Sequence, residues 1–314
     1  MPGRSGRLAG PSSRRRQGGP SWWADATGSV PTASFTVAKL RWLAEHEPGN
    51  AARIARVLLP HDWLTRRLGA AEPVTDRGDA SETGYFATAK GQWLPELAAA
   101  ALGHELALPR VAAPGEAVGQ TGDGALLGSG TGDNMAAALG LGLEPGQVAV
   151  SVGTSGTAFA VAAVPAADPS SAVAGFADAT GHFLPLVCTV NAGLVLSAAA
   201  ARTGTDLAGL DQRALAARPG ADGVTLVPYF DGERTPNLPR ATGIMSGLTK
   251  RNATADNLAR VTGRPPGHGR RRSGIPARRS QASETEVLRR AARRRVVVGR
   301  RRARRVMTLT LWTS

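Results

Sequence analysis

Between residues 21 and 260, short apolar blocks alternate with polar ones, and Gly or Pro punctuates most of them. From Phe35 to His46 the apolar positions Phe35, Val37, Leu40, Trp42 and Leu43 fall at helical spacing. Ser34 is placed to cap that helix and Glu45-His46-Glu47-Pro48 to end it. Ala51 to Val57 predicts a second helix, and Val57-Leu58-Leu59 before Pro60 a brief buried strand. Asp62 to Leu68 predicts another helix, with Asp62 near its positive end. Val118 to Leu127 and Val148 to Val152 are strand-like runs bounded by glycines. Between them, Asn134 to Leu141 reads as an Ala-rich helix opening from a Gly-Asp turn. Phe159 to Val164 continues a hairpin, Gly193 to Arg202 is helical, and Val224 to Tyr229 is a strand. Strands alternating with helices predict an α/β protein.

The two ends break this pattern. Residues 1–20 are Gly, Pro, Ser and Arg and are expected to form no packed element. After Arg260 hydrophobic periodicity disappears and unmatched Arg clusters dominate. Inside the body, Glu144-Pro145-Gly146 combines a turn with a change of element pattern, so the domain boundary is expected there.

Charge sharpens the division. The formal net charge of +14 arises at the ends: residues 1–20 carry five Arg and no acid, and residues 261–314 carry sixteen Arg against Glu284 and Glu286. Residues 21–260 hold 17 basic and 22 acidic residues, a mildly acidic body. Sixteen Arg could neutralise nucleic-acid phosphates, but the tail lacks a basic-helix or aromatic readout pattern. Disorder is therefore the expectation and a nucleic-acid partner is not. No run approaches about eighteen apolar residues, so no membrane span is expected. Cys188 is the lone cysteine, in the apolar run Leu186-Val187-Cys188-Thr189-Val190, and reads as a small buried hydrophobe in a reducing cytoplasm.

Two turns carry chemistry. Gly130-Thr131-Gly132-Asp133-Asn134 places a carboxylate and a carboxamide on a glycine turn at a helix start. Asp133 there suits a general base that takes a proton from an attacking hydroxyl. From spacing alone a cap for a helix beginning at Asn134 is favoured over the base, and Asn134 is either a hydroxyl ligand or a first-turn residue. Gly153-Thr154-Ser155-Gly156-Thr157 offers backbone N–H groups and hydroxyls to phosphate oxygens, or is an ordinary hairpin turn. Asp231-Gly232-Glu233-Arg234-Thr235-Pro236 follows a strand and fits either a site or an ion-pair turn. Asp76-Arg77-Gly78-Asp79-Ala80-Ser81 reads as architectural. His46, His61, His104, His182 and His268 share no metal-ligand spacing, so no metal ligands are assigned. Trp22 and Trp23 read as packing residues.

Taken in order, these segments resemble the FGGY carbohydrate kinases over roughly residues 21–260. The resemblance rests on Thr27 to Pro31, Lys39 to Leu43 through Pro48, Leu58 to Leu64, Asp76 to Ser81, Gly132-Asp133-Asn134, Gly153 to Gly156, Pro228 to Asn237, and Gly243 to Leu258. Within the family, the loops are similar to those of its D-xylulose-phosphorylating branch. The resemblance implies ATP-dependent phosphorylation of D-xylulose to D-xylulose 5-phosphate, with Mg2+. It makes Asp133 the catalytic aspartate, Asn134 a sugar contact, and Gly153, Thr154, Ser155 and Gly156 a phosphate-binding loop. The fold it implies is an incomplete pair of actin-like, ribonuclease-H-like domains with a cleft between them. Residues 21–144 would be the C-terminal part of the first domain, and 145–260 the N-terminal part of the second.

The chain departs from the family pattern at both ends. No Asp-x-Gly-Thr phosphate loop stands upstream of Trp22, and the Met-His-Gly and Trp-x-Asp-x-Arg sugar segments are absent. Val261 stands where the family signature has a small residue. An Arg/Gly/Pro-rich sequence is what a shifted frame of GC-rich DNA encodes. The sequence therefore predicts a truncated or frameshifted chain, with 261–314 in a non-native frame and with little or no turnover.

Overall fold

The computed structural model describes residues 19–262. Residues 1–18 and 263–314, which hold nearly all of both Arg-rich segments, lie outside the described residues. The chain forms two compact units. Among the described residues, the first runs from Gly19 to Ala149 and adds Phe159–Val187; the second holds Val150–Ala158 and Cys188–Thr262.

The first unit begins with helices α1 (Gly19–Thr27), α2 (Thr36–His46), the single-turn α3 (Pro48–Ala51) and α4 (Pro60–Leu68). Strand β1 (Val74–Thr75), helix α5 (Arg77–Ser81), strands β2 (Phe86–Ala87) and β3 (Gln92–Trp93) and helix α6 (Pro95–Leu102) follow. Then come β4 (Arg110–Val111), β5 (Ala117–Gln120), β6 (Leu126–Gly128) and helix α7 (Asp133–Gly140). Strands β7 (Val148–Val152), β8 (Gly156–Ala160), β9 (Ala174–Ala177) and β10 (Phe183–Thr189) hydrogen-bond in the order β7-β8-β10-β9.

Helix α2 turns Val37, Ala38 and Leu40 inward against α6, which buries Leu97, Ala98, Ala101 and Leu102. Burial of a leucine such as Leu40 or Leu97 stabilises the unit by about 1.5–3 kcal/mol. Aromatic pairs fill the space beside them: Phe35 and Phe176 lie 6.2 Å apart, and Trp93 stands 5.5 Å from Tyr85 and 5.2 Å from Phe86. The Trp93 indole nitrogen donates to the Pro109 carbonyl at 2.8 Å, so its polar edge is satisfied.

Helix α1 buries Trp23, with Trp22 edge-on to it at 5.2 Å, so both tryptophans pack. The helix stops at Gly28, whose φ of +83° favours glycine. A Cβ there would stand 2.6 Å from the Gly175 carbonyl oxygen, and Gly175 N donates to Gly28 O at 3.1 Å. Only a glycine lets residues 28–29 lie this close to β9. A second, smaller cluster joins Ala70, Val74, Ala112 and Val118, with Leu127 beside it. It sits under the parallel pair β1–β4 and the β5–β6 hairpin.

Several local expectations change. Ser34 does not cap α2: its hydroxyl pairs with Thr32 at 2.9 Å, and Phe35 holds the N-cap position without a side-chain bond. The helix expected over Ala51–Val57 stops at Ala51, because Arg56 and Val57 pair with Ala107 instead. Val57, Leu58 and Leu59 are half-buried and form no strand. Val118 to Leu127 is a hairpin, closed by Gly124 at φ +89° and a Gly124 N to Thr121 O bond of 2.9 Å. Helix α1 starts at Gly19, inside the segment expected to lack packed structure.

The second unit contains α8 (Gly193–Arg202), α9 (Leu207–Ala216), the hairpin of β11 (Thr225–Val227) and β12 (Ile244–Ser246), and α10 (Ala255–Thr262). The three helices meet at Ala199, Ala200, Leu210 and Ala259, where the three alanines let the backbones approach. Asp206 caps α9 by accepting from Gly209 N at 2.8 Å. Helix α10 also covers the hairpin, where Val261 packs with Ala221 and Val224. Asn252 ties the two together, its amide donating to Asp222 O at 3.0 Å and Gly247 O at 2.9 Å. Among the described residues, no helix is long and apolar enough to cross a membrane.

Candidate active site

Asp133 is the first residue of α7, and Gly132 holds the extended N-cap position. Its Oδ1 accepts from Asn134 N at 2.7 Å and Asn134 Nδ2 at 2.8 Å. A capping side chain bonds the second or third amide of its helix; Asp133 bonds its neighbour, so it does not act as the cap. Met135 and Ala138 anchor the inner face of α7. That leaves Asp133 exposed at the helix N-terminus, with Asn134 half-buried beside it. The carboxylate is accessible, held in orientation by Asn134, and placed where the helix dipole favours negative charge.

The floor under this turn is a cluster the linear sequence does not display. Helix α4 starts with Pro60, and Asp62 accepts from Leu59 N at 2.8 Å, which fixes His61 in the first turn. In α5, Asp76 caps the helix through Gly78 N at 2.7 Å and Asp79 N at 3.1 Å. His61 lies between these acids: Nδ1 is 2.9 Å from Asp79 Oδ2, and Nε2 is 3.1 Å from Asp62 Oδ1 and 3.4 Å from Asp76 Oδ2. Burial works against the charged ring, but Asp76, Asp79 and Asp62 outweigh it and hold the His61 pKa at about 10. Burial in turn pushes the Asp62 carboxyl up.

Two glycines bring the turn down onto this cluster. A Cβ on Gly130, at φ +83°, would stand 2.7 Å from His61 Cδ2. One on Gly132 would stand 2.7 Å from Asp79 Oδ1 and 3.0 Å from Met135 Sδ. His61, Asp76 and Asp79 also offer ligand-type atoms within 4.8 Å of one another. However, both ring nitrogens already face carboxylates, which is the setting of a protonated imidazole. Sequence reasoning treats Asp76–Ser81 as architectural and passes over His61. The adjacency of Pro60-His61-Asp62 at a helix start was the available signal.

The second unit presents the other turn. Thr154 and Ser155 are exposed between β7 and β8. Gly193 N, opening α8, donates to Gly153 O at 2.7 Å, and a Cβ on Gly193 would stand 2.4 Å from that oxygen. A Cβ on Gly156 would meet Thr189 Oγ1 at 3.0 Å. The turn Gly153–Gly156 is thus clamped from beneath and open above.

Glu233 proves to be a brace. It is buried and accepts from Val190 N at 2.7 Å, Arg234 N at 2.7 Å and Asn191 Nδ2 at 3.1 Å. Asn191 also takes the Phe230 amide at 3.1 Å. Cys188, expected to be buried, is half-buried, with Arg234 Nη1 3.7 Å from its sulfur. An open groove lined by Arg56, Leu58, Leu59, Pro60, Trp63 and Leu64 carries no titratable chemistry beyond Arg56.

Residues 13–142 match the model of the FGGY family of carbohydrate kinases, N-terminal domain. The chain is 50% identical over 249 residues to a xylulose kinase of Streptomyces coelicolor, covering 77% of this chain and 50% of that protein. It is 51% identical over 243 residues to a xylulose kinase of Streptomyces rubiginosus, covering 74% and 48%. The crystal structure of xylulose kinase from Bifidobacterium adolescentis superimposes with a TM-score of 0.70 at 43% identity, over 77% of this chain and 55% of that one. The chain spans about half the length of the curated relatives it matches.

Proposed function

Because this chain belongs to the FGGY family of carbohydrate kinases, we propose that its site serves ATP-dependent phosphorylation of D-xylulose to D-xylulose 5-phosphate. The sugar hydroxyl attacks the γ-phosphorus of ATP, the bond from that phosphorus to the bridging oxygen breaks, and ADP leaves. Asp133 accepts the hydroxyl proton, and Asn134 binds the sugar while holding the carboxylate in place. The exposed turn Gly153, Thr154, Ser155 and Gly156 receives phosphate oxygens. The xylulose kinase relatives at half or more identity favour D-xylulose as the sugar.

Mg2+ takes oxygen ligands and keeps several waters. The closed cluster around His61 does not fit it, since each ring nitrogen already faces an acid. We assign Mg2+ to the incoming nucleotide, where it would screen phosphate charge, and to no cage in the described residues. With its lone Cys188, the protein suits a reducing cytoplasm.

The accessible carboxylate of Asp133 at the start of α7 carries this reading. A panel of D-xylulose, D-ribulose, gluconate and glycerol, each incubated with ATP and Mg2+ over hours, tests it by mass spectrometry. D-xylulose 5-phosphate is expected as the dominant product, at the low turnover expected of a chain without the Asp-x-Gly-Thr loop; a different dominant phosphorylated acceptor would contradict the assignment.

A further inference from the structure

We propose that His61, bridging Asp62, Asp76 and Asp79 beneath the Gly130–Gly132 turn, is a positioning residue that sets the carboxylate of Asp133. It rests on the reading of Asp133 as the base, but its own test needs no turnover.

The geometry defines the ring's state. A neutral imidazole has one donor nitrogen and one acceptor nitrogen. Here a carboxylate lies within 3.4 Å of each nitrogen, so a neutral ring would aim a lone pair at an anion. Asp62 is 0% and Asp76 5% exposed, and among the described residues an atom of each, Asp62 Oδ1 and Asp76 Oδ2, has no hydrogen bond apart from this ion pair. Buried carboxylates need a counter-charge. The groups facing the ring are Asp62 from α4 and Asp76 and Asp79 from α5. Tyr85 of β2 adds no charge, since burial and Asp62 raise its pKa.

On its open side the ring meets backbone. Gly130 lies so close that a methyl group would collide with Cδ2, and Gly132 lies as close to Asp79. The ring and its acid partner are therefore the surface against which the turn is moulded, and Asp133 is the next residue. From α7 the Asp133 carboxylate is engaged by Asn134. His61 acts through the turn on the base and has no assigned contact with the sugar.

The test uses the full chain labelled with 15N. Long-range proton–nitrogen spectra at pH 8 are expected to show both His61 ring nitrogens protonated. In His61→Gln, amide exchange at Gly130 to Asn134 is expected to quicken at least tenfold, with helix α9 amides unchanged. Should His61→Gln fail to fold, Asp79→Asn keeps an acceptor for Nδ1 but removes one charge. It is expected to lower the pH at which the ring titrates and to quicken exchange at the same amides. A neutral His61 tautomer at pH 8, exchange at Gly130 to Asn134 that stays at the wild-type rate in a folded variant, or stoichiometric Zn2+ binding lost in His61→Gln would each overturn the proposal. None of these readouts depends on sugar phosphorylation, so a failed kinase assay leaves the positioning role standing.

Discussion

A Cβ added to Gly130 would stand 2.7 Å from His61 Cδ2, so the turn before Asp133 and the imidazole of α4 fit together only through a glycine. Gly130→Ala meets two penalties: the collision and a φ of +83°. The backbone strain alone costs about 1 kcal/mol or more. Urea denaturation is expected to show at least that loss, together with loss of D-xylulose 5-phosphate formation. A variant as stable and as active as wild type would contradict the packing described.

Stability should fall with rising pH. The His61 pKa is 6.5 in the unfolded chain and about 10 in the folded one. The folded state therefore binds the extra proton between those values. The contribution of His61 is complete below pH 6.5 and is lost as pH rises through about 10. Asp62, whose carboxyl burial pushes up, acts in the same direction at the acid end. Urea midpoints of wild type and His61→Gln should differ most near pH 6 and converge above pH 10; a gap that widens with pH would contradict the ion pair.

Gly193→Ala reaches the turn Gly153–Gly156, proposed to bind phosphate, from below. Its Cβ would stand 2.4 Å from Gly153 O, and α8 cannot open without breaking the 2.7 Å bond to that oxygen. Binding of an ATP analogue, followed by calorimetry, is expected to weaken roughly tenfold, a cost of about 1.4 kcal/mol. Equal affinity would argue against phosphate binding at Gly153–Gly156.

Glu233→Ala removes the acceptor shared by Val190 N, Arg234 N and Asn191. Leaving such donors buried costs about 1–3 kcal/mol. Glu233→Gln keeps one acceptor oxygen and should lose less. Chemical denaturation of both variants orders them; if Glu233→Ala is neutral, Glu233 is no brace.

How much of this is legible in the sequence depends on the range of the interaction. Gly193–Arg202 is readable to the residue, since an Ala-rich run after a glycine decides it locally. The helix that opens at Gly132-Asp133-Asn134 is legible for the same reason, since an Ala-rich run follows the glycine turn. Val57-Leu58-Leu59 reads as a strand, yet the partner of Val57 is Ala107, fifty residues on, and the pairing stops there. His61, Asp76 and Asp79 belong to two helices with no shared period, so only folding assembles their ion pairs. Glu233 carries the residue type of a site and the burial of a brace, and burial is a tertiary property.

The most direct measurement compares wild type with Asp133→Asn, both incubated with ATP, Mg2+ and D-xylulose, while thermal melts confirm equal folding. Asp133 is exposed, so the substitution should leave the melt unchanged. Wild type is expected to form D-xylulose 5-phosphate at the low turnover that a chain without the Asp-x-Gly-Thr loop supports, and that product is expected to fall by roughly 10²–10⁴-fold without the carboxylate. Equal product from the two proteins would contradict the assignment of Asp133 as the base.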